Sequence, residues 1–233
     1  MRFQKTKPSK KLSGYKPTRI ISLLASGTEI VCALGEGEEL VGRSHECDNP
    51  PWVKRLPACS RPAFDIEMTS GEIDAEVRRR IEAGEPLYHI DTELIDRLRP
   101  DVLITQEHCE VCAVTAKDLD RDACAYAGRT VSLQASTLQE ILSGIEAIGA
   151  AIECDASAAR LVEDVKGRIA AVRAAVADRK PPTVVILEWI DPIFTSGNWV
   201  PELVEAANGR LLLGEPGQYS ATQTWEAVQA ADP

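Results

Sequence analysis

Short apolar runs and amphipathic stretches alternate along this chain. Arg19–Leu24 is apolar at nearly every position, which predicts a strand buried on both faces. A helix follows, with Ile30, Val31 and Leu34 at helical spacing. Ser26 or Thr28 is the expected cap and Gly35 the stop. Leu40–Ser44 reads as a second strand, and Pro50-Pro51 ends the loop after it. Ala58–Arg61 reads as a short third strand. Residues 70–83 are rich in charge, with Ile73, Val77 and Ile81 the large apolar side chains, so they predict a surface helix with a narrow buried stripe.

A helix over 92–98 is closed by Pro100, and Val102–Thr105 is again a buried strand. A helix over 113–126 and a strand over Thr130–Leu133 follow. Ser136-Thr-Leu-Gln139 has the spacing of a capping box and opens a helix carrying Leu138, Ile141, Leu142, Ile145, Ile148 and Ile152 on one face. After a break at Cys154-Asp155, a second long helix carries Leu161, Val162, Val165, Ile169, Val172 and Val176. Lys180-Pro-Pro182 ends it. Beyond lie a strand (Thr183–Glu188), a helix (Pro201–Ala207), a strand (Leu211–Leu213) and a helix (Thr222–Ala230).

Strands alternating with helices imply parallel sheets with right-handed crossovers. The long helix between two such units implies two α/β lobes with a cleft between them. The expected division is a basic tail over 1–17, a first lobe over 18–155, a linker helix over 156–180 and a second lobe over 181–233. Ala231-Asp232-Pro233 repeats the helix-to-strand punctuation of Arg99-Pro100-Asp101, so the second lobe is expected to lack its last elements.

Composition narrows the function. The 233 residues are 44% hydrophobic and 27% charged, as in an ordinary globular protein with a core large enough to fold without disulfides. Net charge is −10. Residues 1–19 hold seven basic residues and no acid, which leaves −17 on the rest, that is −10 less those seven positive charges. Such a body does not attract nucleic acid or an anionic membrane by bulk electrostatics. No apolar run has the length of a membrane span or of a secretory signal, which as written predicts a cytoplasmic protein. The seven cysteines, an odd number, fit a reducing compartment better than a disulfide framework.

Four blocks carry a family resemblance. They are Ile21-Ser-Leu-Leu-Ala-Ser-Gly-Thr-Glu29, Val41-Gly-Arg-Ser-His-Glu-Cys-Asp-Asn-Pro-Pro51, Glu93-Leu-Ile-Asp-Arg-Leu-Arg-Pro-Asp-Val-Leu-Ile104 and Asp191-Pro-Ile-Phe-Thr-Ser-Gly197. In order and spacing the chain resembles the class III substrate-binding proteins of ABC importers, which take cobalamin, siderophores and related iron chelates, and the cobalamin-binding members most. The resemblance covers about residues 18–233. It implies two Rossmann-like lobes joined by one rigid helix, no catalysis, no required cofactor, and a monomer that delivers a corrinoid or related metal chelate to an ABC permease. It would place the protein in the periplasm or tethered to a membrane.

The same resemblance implies ligand contacts. In the first lobe these are Ser26, Thr28, His45, Glu46, Cys47, Asp48, Gln106 and Glu107, with Trp52 at the cleft rim. In the second lobe Trp189, Phe194 and the Gly197-Asn198-Trp199 loop would face the ligand, since flat aromatics suit a macrocycle. Glu93 and Glu202 would dock onto permease arginines. Trp225 lies on an apolar helix face and is expected in the core.

The joints also hold His45, Cys47, His108, Cys109 and Cys112. Cys109-x-x-Cys112 has metal-ligand or redox spacing. With His45 and Cys47 it could form a soft nitrogen/sulfur site for zinc or iron. His45 alone could ligate the cobalt of a bound corrinoid. The plainer readings are free, partly buried cysteines and a hydrogen-bonded loop histidine. A cytoplasmic carrier or sensor of metal, haem or cobalamin is the alternative function, and a thiol oxidoreductase the third.

Overall fold

The computed structural model describes residues 19–107, 111, 113–121, 126 and 128–233. The first lobe is built on four parallel strands: β1 Ile20–Ser22, β2 Leu40–Arg43, β5 Val102–Gln106 and β6 Arg129–Leu133. They lie in the order β2-β1-β5-β6. β1 pairs with β2 on one side and with β5 on the other, with Ile20 opposite both Leu40 and Val102. Consecutive residues of these strands feed opposite faces. Ile20, Val102 and Ile104 join one core with Val31, Leu142, Ile145, Ile148 and Ile152. Ile21, Leu23 and Leu103 join another with Ile95, Val114 and Leu119. Burial on both faces explains why the strands read as continuous apolar runs.

α1 (Ala25–Ala33) leaves β1 almost directly. Its N-cap is Leu24, with no side-chain cap bond, so Ser26 and Thr28 lie inside the helix instead of capping it. Gly35, at φ +87, ends it as the pattern predicts. Between β2 and β5 the chain forms an antiparallel pair, β3 (Ser60–Pro62) with β4 (Tyr88–Ile90). β4 has no apolar pattern of its own and escapes a sequence reading. α2 (Ser70–Ala83) lies between them and has no buried residue. It is closed by a Thr69/Glu72 capping box and by Gly84 at φ +66. Its charged face pairs with itself: Asp74–Arg78 at 2.7 Å and Glu76 with Arg79 and Arg80 at 2.8 and 2.7 Å. Bonding to Arg79 above all, and to Arg80, pulls the Glu76 carboxyl down to about 2. α3 (Thr92–Leu98) is capped by Asp91, which accepts from the Leu94 amide at 2.8 Å. The described part of α4 covers Ala116–Arg121.

α5 (Leu138–Ala151) is capped by Thr137, which accepts from the Glu140 amide at 3.2 Å. The cap therefore sits one residue later than Ser136 predicts, with the Glu140 carboxylate reaching back to the Ser136 amide at 2.6 Å. α6 (Asp155–Val176) has 22 residues, about 33 Å of helix, and connects the two halves of the chain. It packs closely on α5, where a Cβ on Gly149 would lie 2.4 Å from the Ala158 Cβ.

The second lobe is mixed. β7 (Thr183–Val184) runs parallel to β10 (Arg210–Leu211). β8 (Leu187–Ile190), β9 (Ile193–Thr195) and β11 (Ala221–Gln223) form an antiparallel sheet in the order β11-β9-β8. The single strand expected over Thr183–Glu188 is thus two. Between them Ile186 accepts from the Ser196 amide at 3.0 Å, and the chain passes from β10 to β9. α7 (Val200–Ala206) and α8 (Trp225–Ala231) complete the lobe. Trp225 opens α8 and is 52% exposed, contrary to the core position expected. α8 buries none of its residues, so its apolar stripe finds no core to enter.

Candidate functional site

The strand order reverses between β1 and β5, and in open parallel sheets such a reversal leaves a crevice at the carboxyl ends of the strands. A cavity of about 510 Å³ occupies that place. Leu24, Ser26 and Ile30 come to it from the end of β1 and from α1. Gln106 arrives from the end of β5, Leu133 and Gln134 from the end of β6, and Ile141 and Gly144 from α5. The second lobe closes the far side with Glu188 of β8, the loop residues Asn198 and Trp199, Val200 at the start of α7, and the loop residues Tyr219 and Ser220. The wall is chiefly apolar, with a few polar groups between two aromatic rings. The volume lies within the range of small-molecule sites.

The polar wall of the second lobe is tightly made. Asn198 holds φ +53. Its amide donates to Gln218 O at 2.6 Å, and its carbonyl accepts from the Gly217 amide at 3.0 Å. A Cβ on Gly197 would lie 2.4 Å from Gln218 O, so only glycine allows this approach. Glu188 spans the seam: its carboxylate accepts from the Gly197 amide at 3.3 Å and from the Ser220 hydroxyl. Asn198 Oδ1 is buried without a hydrogen-bond partner.

Of the expected contacts, Ser26, Gln106 and Trp199 line this cavity. Gln106 is held there by its Nε2, which donates to Ala113 O at 3.2 Å. Thr28 and Cys47 are in the core, with the Thr28 hydroxyl donating to Cys47 Sγ at 3.0 Å. His45 is half-buried on the β3–β4 side: Nδ1 lies 3.0 Å from Ser60 Oγ, and the ring tilts against Tyr88 with centroids 5.5 Å apart. Burial, helped by nearby Arg43, lowers its pKa. Burial likewise raises that of Glu46, whose Oε1 is 3.9 Å from His45 Nε2. Asp48 pairs with Lys54 at 3.7 Å on the surface. Trp52 packs on the first core, against Cys32 and Gly37. Glu107 is exposed. Phe194 pairs with Trp189 within the β8–β9 hairpin and is half-buried.

Trp189 and Glu202 join the lobes. Trp189 Nε1 donates to the Ser70 carbonyl at 3.2 Å, and Glu202 accepts from the Leu138 amide at 2.7 Å. Glu93 is 90% exposed, beside a polar depression of about 500 Å³ that also involves Arg61, His89 and Asp91. His108, Cys109 and Cys112 lie outside the described residues. Among the described residues no group of three or more His, Cys, Asp or Glu is placed to hold a metal. Cys47 and Cys59 are buried, and burial pushes the Cys59 thiol up to about 12. Sequence reasoning missed Gln134, Ile141 and Tyr219. Residues just beyond the strands of an open parallel sheet face the crevice, and the end of β6 therefore points to Gln134; Tyr219, in a loop without periodicity, gives no signal.

The chain belongs to the periplasmic binding protein family, whose model matches residues 20–233. These are solute-binding proteins that work outside the cytoplasm with ABC transporter permeases. No curated protein matches the chain. Solved structures that it resembles include the periplasmic vitamin B12-binding protein BtuF of Vibrio cholerae, with TM-score 0.67 and 22% identity over 94% of this chain and 74% of that one. The heme-binding protein RhuT of Roseiflexus sp. RS-1, in apo form, gives TM-score 0.69 and 24% identity over 93% and 74%. A periplasmic heme-binding protein of Pseudomonas aeruginosa gives 0.65 and 23% over 93% and 70%. At these identities the likeness shows the two-lobed fold. Among the described residues no helix is long and apolar enough to cross a membrane.

Proposed function

We propose that the chain binds a corrinoid or a related flat metal chelate in the interlobe cavity and delivers it to an ABC permease. The observation that carries this reading is the cavity itself: about 510 Å³ at the strand-order reversal, with Trp199 and Tyr219 in its wall. Large rings bury apolar area against a macrocycle at little entropic cost. Gln106, Gln134 and Ser26 supply polar groups for its edge. The B12- and heme-binding proteins of the same fold support the ligand class. Glu93, exposed in the first turn of α3, is the proposed permease contact. Glu202 is already engaged at the start of α5.

The test is a titration of the protein with aquocobalamin, followed by tryptophan fluorescence and by the ligand's visible spectrum. Saturable quenching at micromolar ligand or below, weakened in Trp199→Ala, is the expected result. Absence of quenching by aquocobalamin and by haemin alike would remove the reading.

A further inference from the structure

Glu188 is the single formally charged side chain among the described residues that line the cavity; no lysine, arginine or histidine among them does so. Its two bonds, to the Gly197 amide and the Ser220 hydroxyl, come from neutral donors and leave the negative charge in place. The second-lobe wall therefore presents a carboxylate acceptor to whatever enters. An amide N–H or a cationic group on a ligand edge would satisfy it. A carboxylate on the same edge would meet a like charge with no described cation lining the cavity to offset it, which is unfavourable. The net charge of −10 adds a weaker repulsion of anions at long range.

We infer that Glu188 selects among flat chelates by the chemistry of their edge, admitting rings edged with amides or cations and rejecting rings edged with carboxylates. The inference rests on the reading that the cavity holds a flat chelate, and it names which kind.

The test compares two ligands that differ only at the edge: iron protoporphyrin IX with its two free propionates, and the same ring with both converted to amides. Aquocobalamin, an amide-edged corrin, is run alongside. The wild-type protein is expected to bind the diamide at least about tenfold tighter than the diacid, the scale of one like-charge contact near a protein surface. Glu188→Gln, checked for folding by circular dichroism, is expected to bring the ratio within about threefold by strengthening the diacid, since only the charge is removed. Equal affinity of the wild-type protein for diacid and diamide overturns the inference whether or not the variant folds. So does an unchanged ratio in folded Glu188→Gln. If neither porphyrin nor aquocobalamin binds, the flat-chelate reading itself falls, and the inference with it.

Discussion

Trp189 in the second lobe donates its indole N–H to the carbonyl of Ser70 in the first, a bond of 3.2 Å between residues 119 positions apart. The same N–H lies 2.9 Å from Asp191 O, so the tip of the β8–β9 hairpin and the first turn of α2 are joined at one point. α2 buries no residue, and this bond ties its first turn to the second lobe. Trp189→Phe keeps an aromatic ring, though a smaller one, and deletes the donor. The expected loss is about 0.5–1.5 kcal/mol in chemical denaturation, the usual net value of such a bond. Amides of residues 70–74 should also exchange faster with solvent than in the wild-type protein. Unchanged exchange there would mean that the hairpin does not anchor α2.

Gly71 sits under the same hairpin. Alanine in a helix is ordinarily better than glycine by up to about 1 kcal/mol. Here a Cβ at position 71 would lie 2.5 Å from Asp191 Oδ2, too close for either group to stay. Gly71→Ala is therefore expected to be neutral or destabilising in the wild-type protein. In an Asp191→Ala background the same change is expected to stabilise by several tenths of a kcal/mol or more, because only the helix preference remains. A double-mutant cycle read by thermal melting measures the difference. Equal effects in both backgrounds would show that the lobes part freely at this point.

His45 sets a pH dependence whose sign is fixed by its surroundings. Burial and Arg43 lower its pKa below 6.5 in the folded protein. Between that lowered value and 6.5 the unfolded chain binds more protons than the folded one, so stability falls as pH falls through this window. Glu46 acts in the opposite sense. Its raised pKa favours the folded state below 4.5, and that gain is lost as pH rises through the folded value. Melting temperatures from pH 7.5 to 5 should therefore decline below about 6.5 in the wild-type protein and decline less in His45→Gln. Parallel curves for the two proteins would place the titrating group elsewhere.

These particulars also show what the sequence makes legible. Strands buried on both faces announce themselves, so β1, β2, β5 and β6 emerge from apolar runs, and the family resemblance of the loops after β1 and β5 leads to Ser26 and Gln106. Thr28 follows the same strand end as Ser26 but turns into the core, because a helix beginning at Ala25 points successive side chains in different directions, and Cys47, in the loop after β2, is buried against it. The second lobe is harder to read. β8, β9 and β11 are short, and β11 joins the β8–β9 hairpin by a non-local antiparallel pairing with β9. Tyr219 and Ser220 reach the cavity only through the zipped loops at Asn198 and Gln218. Trp225 shows the limit of periodicity: a helical stripe predicts a buried face only where there is a core to receive it.

Glu202 separates two roles that one acidic residue cannot fill at once. Its Oε2 accepts from the Leu138 amide at 2.7 Å, at the first residue of α5. A carboxylate at that end of a helix gains from the unpaired amides and from the helix dipole, by about 0.3–1 kcal/mol. Thr137 and Glu140 cap neighbouring groups but belong to the same lobe, so Glu202 is the cap that joins α7 to α5. Glu202→Gln is expected to lower stability by about that amount, and Glu202→Ala by somewhat more, since the acceptor is then lost as well as the charge. The deficit of the glutamine variant should shrink in molar salt, where the charge is screened. Glu93, exposed and 3.9 Å from Arg97, should by contrast tolerate Glu93→Gln within about 0.5 kcal/mol. A Glu202 variant as stable as the wild-type protein would mean that its carboxylate is free for a partner, and the permease contact would then extend to both lobes.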